Sequence, residues 1–178
     1  MNERDFIELS RLRRREHDEL FRSGTPPSIE ELVGFEFCGW NCSLVPKLGG
    51  FQKFIKGFYR GPGTPAGEAE GYNSPVIQNG IDGEWLGLPA DDAATRFGFY
   101  TVAPLRRAGR PDALLLDYGA HRKNPRLDFW RLVRDLLVKI DNNPDLLLGR
   151  AHLDLGPWLF AGYFLLKRRR PHAYIGTG

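Results

Sequence analysis

Residues 145–168 read DLLLGRAHLDLGPWLFAGYFLLKR, and this stretch decides the fold. Gly156-Pro157 divides it into two runs, Leu146–Leu155 and Trp158–Lys167, each of strand length and each interrupted before a helix could form. In the first run Leu147, Gly149, Ala151, Leu153 and Leu155 share one face, and Leu146, Leu148, Arg150, His152 and Asp154 share the other. In the second, Trp158, Phe160 and Phe164 oppose Leu159, Ala161, Tyr163 and Leu165. A strand apolar on both faces has to be covered twice, by a second layer of sheet, a helix or an enclosed ligand. The pair is therefore expected to be a hairpin at the centre of a closed or strongly curved sheet.

Working back from this hairpin, Leu127–Leu136 carries Phe129, Leu132, Val133 and Leu136 at helical spacing, with Asp128 in the first turn, and is expected to be a helix. Leu137–Asp141 fits either its continuation or a returning strand, with the strand favoured. Between residues 72 and 118, Pro75–Gln78, Gly83–Leu88, Arg96–Val102 and Ala113–Tyr118 are candidate strands, separated by Asn79-Gly80, Asp82-Gly83 and a charged turn at 105–112. Residues 61–71, GPGTPAGEAEG, read as a flexible Gly/Pro loop. Residues 48–60 are ambiguous: Phe51, Phe54, Ile55 and Phe58 have helical spacing, while the glycines and aromatic residues suit a strand. Phe35–Trp40 reads as a strand. Ser28 with Glu31 forms a capping box that opens a short helix at 28–33. Residues 3–22 form the N-terminal helix, with a thin stripe of Phe6, Leu9, Leu12, Leu20 and Phe21.

The expected architecture is mainly β (α+β): a curved antiparallel sheet or barrel of about seven to ten strands. An N-terminal helix over 1–23 and one inserted helix before the last strands complete a single domain, 1–178. With 21 Gly and 13 Pro among 178 residues, turns between strands are well supplied, and 42% hydrophobic residues argue against disorder.

Charge narrows the partners. The chain has 25 Lys and Arg against 22 Asp and Glu, a formal net charge of +3. The run Lys167–Arg170 alone supplies four positive charges, and six Arg balance six acidic residues within 1–22. No broad basic stripe remains for nucleic acid. The terminal run offers RNA, anionic lipid or an acidic partner a small patch, or simply keeps a strand edge soluble. Cys38 and Cys42, about 13 Å apart along a strand, are too distant for the roughly 5.5 Å a disulfide needs, so two thiols in a reducing, cytoplasmic setting are expected. The charged N-terminus lacks a signal-peptide core, and the apolar run Trp158–Leu166 is too short for a membrane helix, so no stable membrane insertion is expected.

Two segments carry a family resemblance. The hairpin at 145–168 resembles the closing strands of small calycin-type barrels, the lipocalin and fatty-acid-binding-protein group. Gly83-Glu84-Trp85-Leu86-Gly87 is similar to the Gly-x-Trp signature of lipocalin-like barrels and to the GxWxG pattern of small bacterial domains. The departure is positional: the lipocalin Gly-x-Trp strand opens the barrel, whereas here some 80 residues precede it. The resemblance implies a barrel that encloses an apolar ligand, and implies no activity.

The leading functional expectation is accordingly the binding of a small hydrophobic molecule, without catalysis and without a cofactor. A barrel of about eight strands has an interior just wide enough for one. Its candidate ligand-binding residues are Trp40, Trp85, Tyr100, His121, His152, Trp158, Phe160 and Tyr163, with Phe37, Phe97, Phe99 and Phe164 as further lining, and Asn73 and Gln78 as polar contacts. The same aromatic residues equally serve a filled core. An enzyme acting on a small organic substrate is the alternative, with His121 or His152 as acid/base and Asp117 or Asp154 as orienting partner. Asp117 is as well suited to anchoring the turn at Gly119, and Arg150, His152 and Asp154 to a solvated charge ladder. A third reading is an interaction protein that docks, or forms a homodimer, through residues 3–22. Metal, phosphate-loop and Gly-x-Ser-x-Gly hydrolase signatures are absent from the sequence.

Overall fold

A computed structural model describes residues 3–42, 51–105 and 112–176. Eight strands follow one another around a closed antiparallel barrel: β1 Phe35–Asn41, β2 Lys53–Tyr59, β3 Ala69–Pro75, β4 Phe97–Pro104, β5 Leu114–Asp117, β6 Val133–Ile140, β7 Asn143–Asp154 and β8 Trp158–Pro171. Strand β8 closes the barrel on β1, pairing Trp40 with Leu165 and Gly39 with Leu166. The hairpin of β7 and β8 is the longest pairing. As its sequence demands, it is covered on both sides. Leu147, Phe164 and Leu166 point into the barrel, while Leu146, Leu148, Tyr163 and Leu165 lie beneath helices on the outer wall.

Those helices are α1 Glu3–Ser10 and α2 Arg14–Ser23. The single helix expected over 3–22 is broken because Arg13 caps α2, with its backbone N–H donating to Glu16, and His17 Nε2 bonds the Leu9 carbonyl at 3.0 Å. The break lets both large apolar residues reach the barrel: Phe6 meets Trp85 edge-on at 6.1 Å, and Phe21 packs against Tyr163. A one-turn helix, α3 Ile29–Leu32, opens on the expected Ser28–Glu31 capping box and sends Ile29 and Leu32 into the interior cluster.

The interior is packed by alternating large and small residues. A Cβ at Gly39 would collide with the Phe54 ring, one at Gly71 with Tyr100, and one at Gly149 with Phe164. Each strand glycine thus leaves a berth for an aromatic ring on a neighbouring strand, which brings the interior towards close packing.

Four expectations are corrected. The inserted helix at 127–136 is a single 3-10 turn, Phe129–Leu132, opened by Asp128 Oδ1 accepting from the Trp130 N–H at 3.1 Å, and the chain then enters β6. Val133 and Leu137 face inward while Leu136, Val138 and Ile140 face the helices, so a doubly covered strand mimics helical spacing. Leu137 to Ile140 accordingly belong to a strand. Of the expected strand Pro75–Gln78 only Pro75 lies in a strand, as the end of β3; residues 76–78 and Gly83–Leu88 are parts of a long connection that meet at an isolated bridge, Val76 to Gly87. Residues 69–71, expected in the Gly/Pro loop, begin β3, and in the segment left open between helix and strand residues 53–59 form strand β2. Within β8, an irregularity opposite Ala151/His152 shifts the alternation, so Phe160 joins the outer cluster while Phe164 stays inside. Residues 48–50 of the ambiguous segment and 106–111 of the charged turn lie outside the described residues.

The basic run is built into the wall. Arg169 and Arg170 both bond Glu36 Oε2 at 2.9 Å and grip Asp91, which ties the 76–96 connection to the outside of the barrel. Arg168 folds over Phe35, 4.0 Å from its centroid. Among the described residues, no helix is long and apolar enough to cross a membrane.

Candidate functional site: a cavity at the barrel mouth

One end of the barrel is plugged by α3. At the opposite end, where β1, β3, β5 and β7 finish and β2, β4, β6 and β8 begin, the packing leaves a cavity of about 280 Å³. Its wall is predominantly aromatic. Phe54 meets Phe164 edge-on at 5.9 Å, Phe97 packs against Trp130 at 5.3 Å, and Trp130 stacks on Tyr118 at 5.8 Å. Phe51 and Phe129 stand exposed at the rim.

The floor is polar. Lys56 sits between Phe54 and Phe58 on β2, at an inward position, and is buried together with Asp135 of β6. Lys56 Nζ lies 3.2 Å from Asp135 Oδ2 and 3.1 Å from Asn73 Oδ1, and it also donates to the Tyr118 hydroxyl. Tyr118 in turn donates to Asp135 Oδ2 at 3.0 Å. Asn73 spends its amide hydrogens on the Gly98 carbonyl at 2.9 Å and on Tyr118 at 3.3 Å. The Lys56 amine also lies 4.5 Å from the centre of the Tyr100 ring, where the quadrupole favours a cation.

Burial disfavours charge on both partners. It lowers the Lys56 amine and raises the Asp135 carboxyl from their ordinary values, each effect being opposed by the other's charge. Burial also holds the Tyr118 phenol well above its usual range, so it stays protonated and able to donate. The arrangement can hold a proton between Lys56 and Asp135 and present a fixed polar surface to whatever fills the cavity.

The structure distributes the expected site residues unevenly. His152 and Tyr163 border the cavity but turn their rings to the outer wall, onto Trp158 at 5.7 Å and His17 at 5.3 Å, while Asn73, Phe97 and Phe164 line it. Tyr100 points inward but fills its berth over Gly71 outside the cavity lining, beside Phe58, which Phe37 meets edge-on at 5.5 Å. Trp40, Trp85, Trp158 and Phe160 pack in the outer cluster beneath the helices and the long connection, because the even positions of β1 and the shifted start of β8 face outward. Phe99 lies on the outer wall, stacked on His121 at 5.3 Å. Gln78 accepts from the Lys53 N–H at the barrel edge.

His121 also belongs to that wall, 3.4 Å from the Tyr59 hydroxyl and 3.8 Å from Glu70, with burial lowering its pKa. Asp117 accepts from the Ala120 N–H and pairs with Arg134, which also holds Asp154 at 3.3 Å. Neither expected His–carboxylate pair is therefore brought together in the cavity. Among the described residues, no group of three His, Cys, Asp or Glu side chains is placed to hold a metal ion.

Lys56, Asp135 and Trp130 are not among the residues the sequence singles out, and Tyr118 stands there only as the end of a strand. A usable signal existed for Lys56. Read with strand alternation, Phe54, Lys56 and Phe58 place one cation in the middle of an aromatic inward stripe. A second concavity, about 400 Å³, lies between α1, α2 and the turn joining β6 to β7. It is larger but is a surface groove of Leu9, Leu12, Leu20, Ile140 and Leu146 rimmed by Glu8 and Asp141, with no buried polar group in its lining among the described residues. Comparison with known proteins finds no matching family model, curated protein or solved structure.

Proposed function

We propose that the protein binds a small, mainly apolar molecule in the mouth cavity, non-covalently, as a lipocalin-like barrel would. The observation that carries this reading is the pairing of an aromatic wall with a short list of convergent polar groups, Lys56, Asp135, Tyr118 and Asn73, at the inner end. That combination is the usual make-up of a small-molecule site, and the volume lies near the lower end of the roughly 300–1,000 Å³ typical of such sites. Eight strands suit it, since a barrel of this size holds at most one small ligand. The exposed rings of Phe51 and Phe129 at the rim give an apolar entrance. Acid–base catalysis through His121 or His152 is the weaker reading, because Asp117 and Asp154 are committed to Arg134.

Ala151 lines the cavity, so Ala151→Phe places a ring in the space a ligand would use. With 2-naphthamide as the probe, titration followed by amide NMR shifts is expected to give a Kd at least tenfold weaker for this variant than for the parent. Equal affinity in a folded Ala151→Phe protein would contradict the reading.

A further inference from the structure

The floor of the cavity has a definite hydrogen-bonding and charge balance, and together they specify the end of the ligand that meets it. Lys56 has three hydrogens if charged, and three acceptors surround them: Asn73 Oδ1, the Tyr118 oxygen and Asp135 Oδ2. Both amide hydrogens of Asn73 and the hydroxyl hydrogen of Tyr118 are likewise engaged. Among the described residues, no donor on the floor is left for a ligand. The remaining capacity is an acceptor: the Tyr118 hydrogen bond and the Lys56 ion pair both fall on Asp135 Oδ2, and Oδ1 carries no hydrogen bond among the described residues although Asp135 lines the cavity.

Charge gives the second constraint. Lys56 and Asp135 sum to zero whether the shared proton sits on the amine or on Oδ2, and in both placements Oδ1 remains an acceptor. Among the described residues lining the cavity, these two are the only Lys, Arg, Asp or Glu side chains. At the floor a ligand carboxylate would find no free donor among the described residues and would set a second anion beside Asp135. A ligand cation would set a second positive charge beside Lys56. Either ion loses its hydration in an aromatic cavity without a counter-charge to replace it.

Resting on the binding reading above, we infer that the ligand is a neutral aromatic or aliphatic molecule whose polar end is an uncharged hydrogen-bond donor, a hydroxyl or amide N–H, received by Asp135. Carboxylic acids and amines of the same shape are excluded from the cavity as ions.

The test uses probes of one shape at pH 8: 2-naphthamide, 2-acetonaphthone, 2-naphthoate and 2-naphthamidine, with naphthalene as the bare body. The amide is neutral with a donor, the ketone neutral without one, and the last two carry one negative and one positive charge. Titration of the intact chain by amide NMR shifts is expected to show 2-naphthamide binding at least tenfold tighter than either ion and several-fold tighter than the ketone. The variant Lys56→Met/Asp135→Leu, whose floor is apolar, is expected to bind naphthalene but to lose the preference for the amide over the ketone. Binding of either ion as tightly as the amide, or a ketone equal to the amide in the parent protein, overturns the inference while naphthalene binding leaves the cavity reading standing. If naphthalene and all four derivatives fail to bind, both fall together.

Discussion

Asp135→Ala is expected to destabilise the protein by about 3–5 kcal/mol, the cost of removing one partner from a buried ion pair. The loss is large because Lys56 is fully enclosed and has no second carboxylate within the cluster. The remaining amine must either stay charged in an aromatic surround or give up its proton, and Tyr118 loses its acceptor as well. Replacing both partners is a different matter. Lys56→Met/Asp135→Leu exchanges the pair for apolar groups of similar length, and such exchanges are often neutral or stabilising, by about 1–4 kcal/mol. Urea unfolding of the parent, the single and the double variant measures this directly. A double variant more stable than Asp135→Ala by several kcal/mol is the expected pattern, and a single variant within about 0.5 kcal/mol of the parent would show that the pair is not buried as described. If the pair is retained at a cost to stability, the reason is sought in what it recognises.

The second large effect concerns Phe164 and Gly149. Phe164 is buried against Phe54, lines the cavity and occupies the space that a side chain at Gly149 would need. Phe164→Ala is expected to cost about 3–5 kcal/mol through lost burial and the void left behind. Gly149→Val is expected to cost about 1–3 kcal/mol by driving the ring out of its berth. The two are in contact, so they should not add. The double variant is expected to be more stable than the sum of the single effects by at least about 1 kcal/mol, because the valine enters the space the ring vacated. Additivity in a thermal or denaturant double-mutant cycle would mean that the glycine berth does not hold the ring.

The sequence revealed the barrel through one hairpin and hid much of the rest for identifiable reasons. Trp158–Leu166 could be read because both of its faces are apolar, and the two covers it demanded are the barrel interior and the α1–α2 pair. Strand β3 could not be read, because its inward positions are Ala69, Gly71 and Asn73, kept small or polar so that Tyr100 and Lys56 can lie beside them. Strand β6 was mistaken for a helix because covering both faces of Val133–Ile140 erases the alternation that marks a half-exposed strand. The site was obscured by the same two failures. Lys56 lay in a segment whose Phe51, Phe54, Ile55 and Phe58 spacing imitates a helix, and Asp135 lay within the supposed helix itself. Trp85 and Phe160 looked like lining because aromatic residues on a barrel wall do not declare which side they face; the N-terminal helices and the 76–96 connection give the outer wall an aromatic layer of its own.

Whether the mouth cavity receives a neutral apolar molecule on its Lys56–Asp135 floor is decided by a crystal structure of the protein soaked with 2-naphthamide. The naphthalene body is expected between Trp130 and Phe164, with the amide nitrogen within hydrogen-bond distance of Asp135 Oδ1. A ligand seated in the groove of Leu9, Leu20 and Leu146, or one in the cavity with its amide turned outward to the rim, would rule this binding mode out.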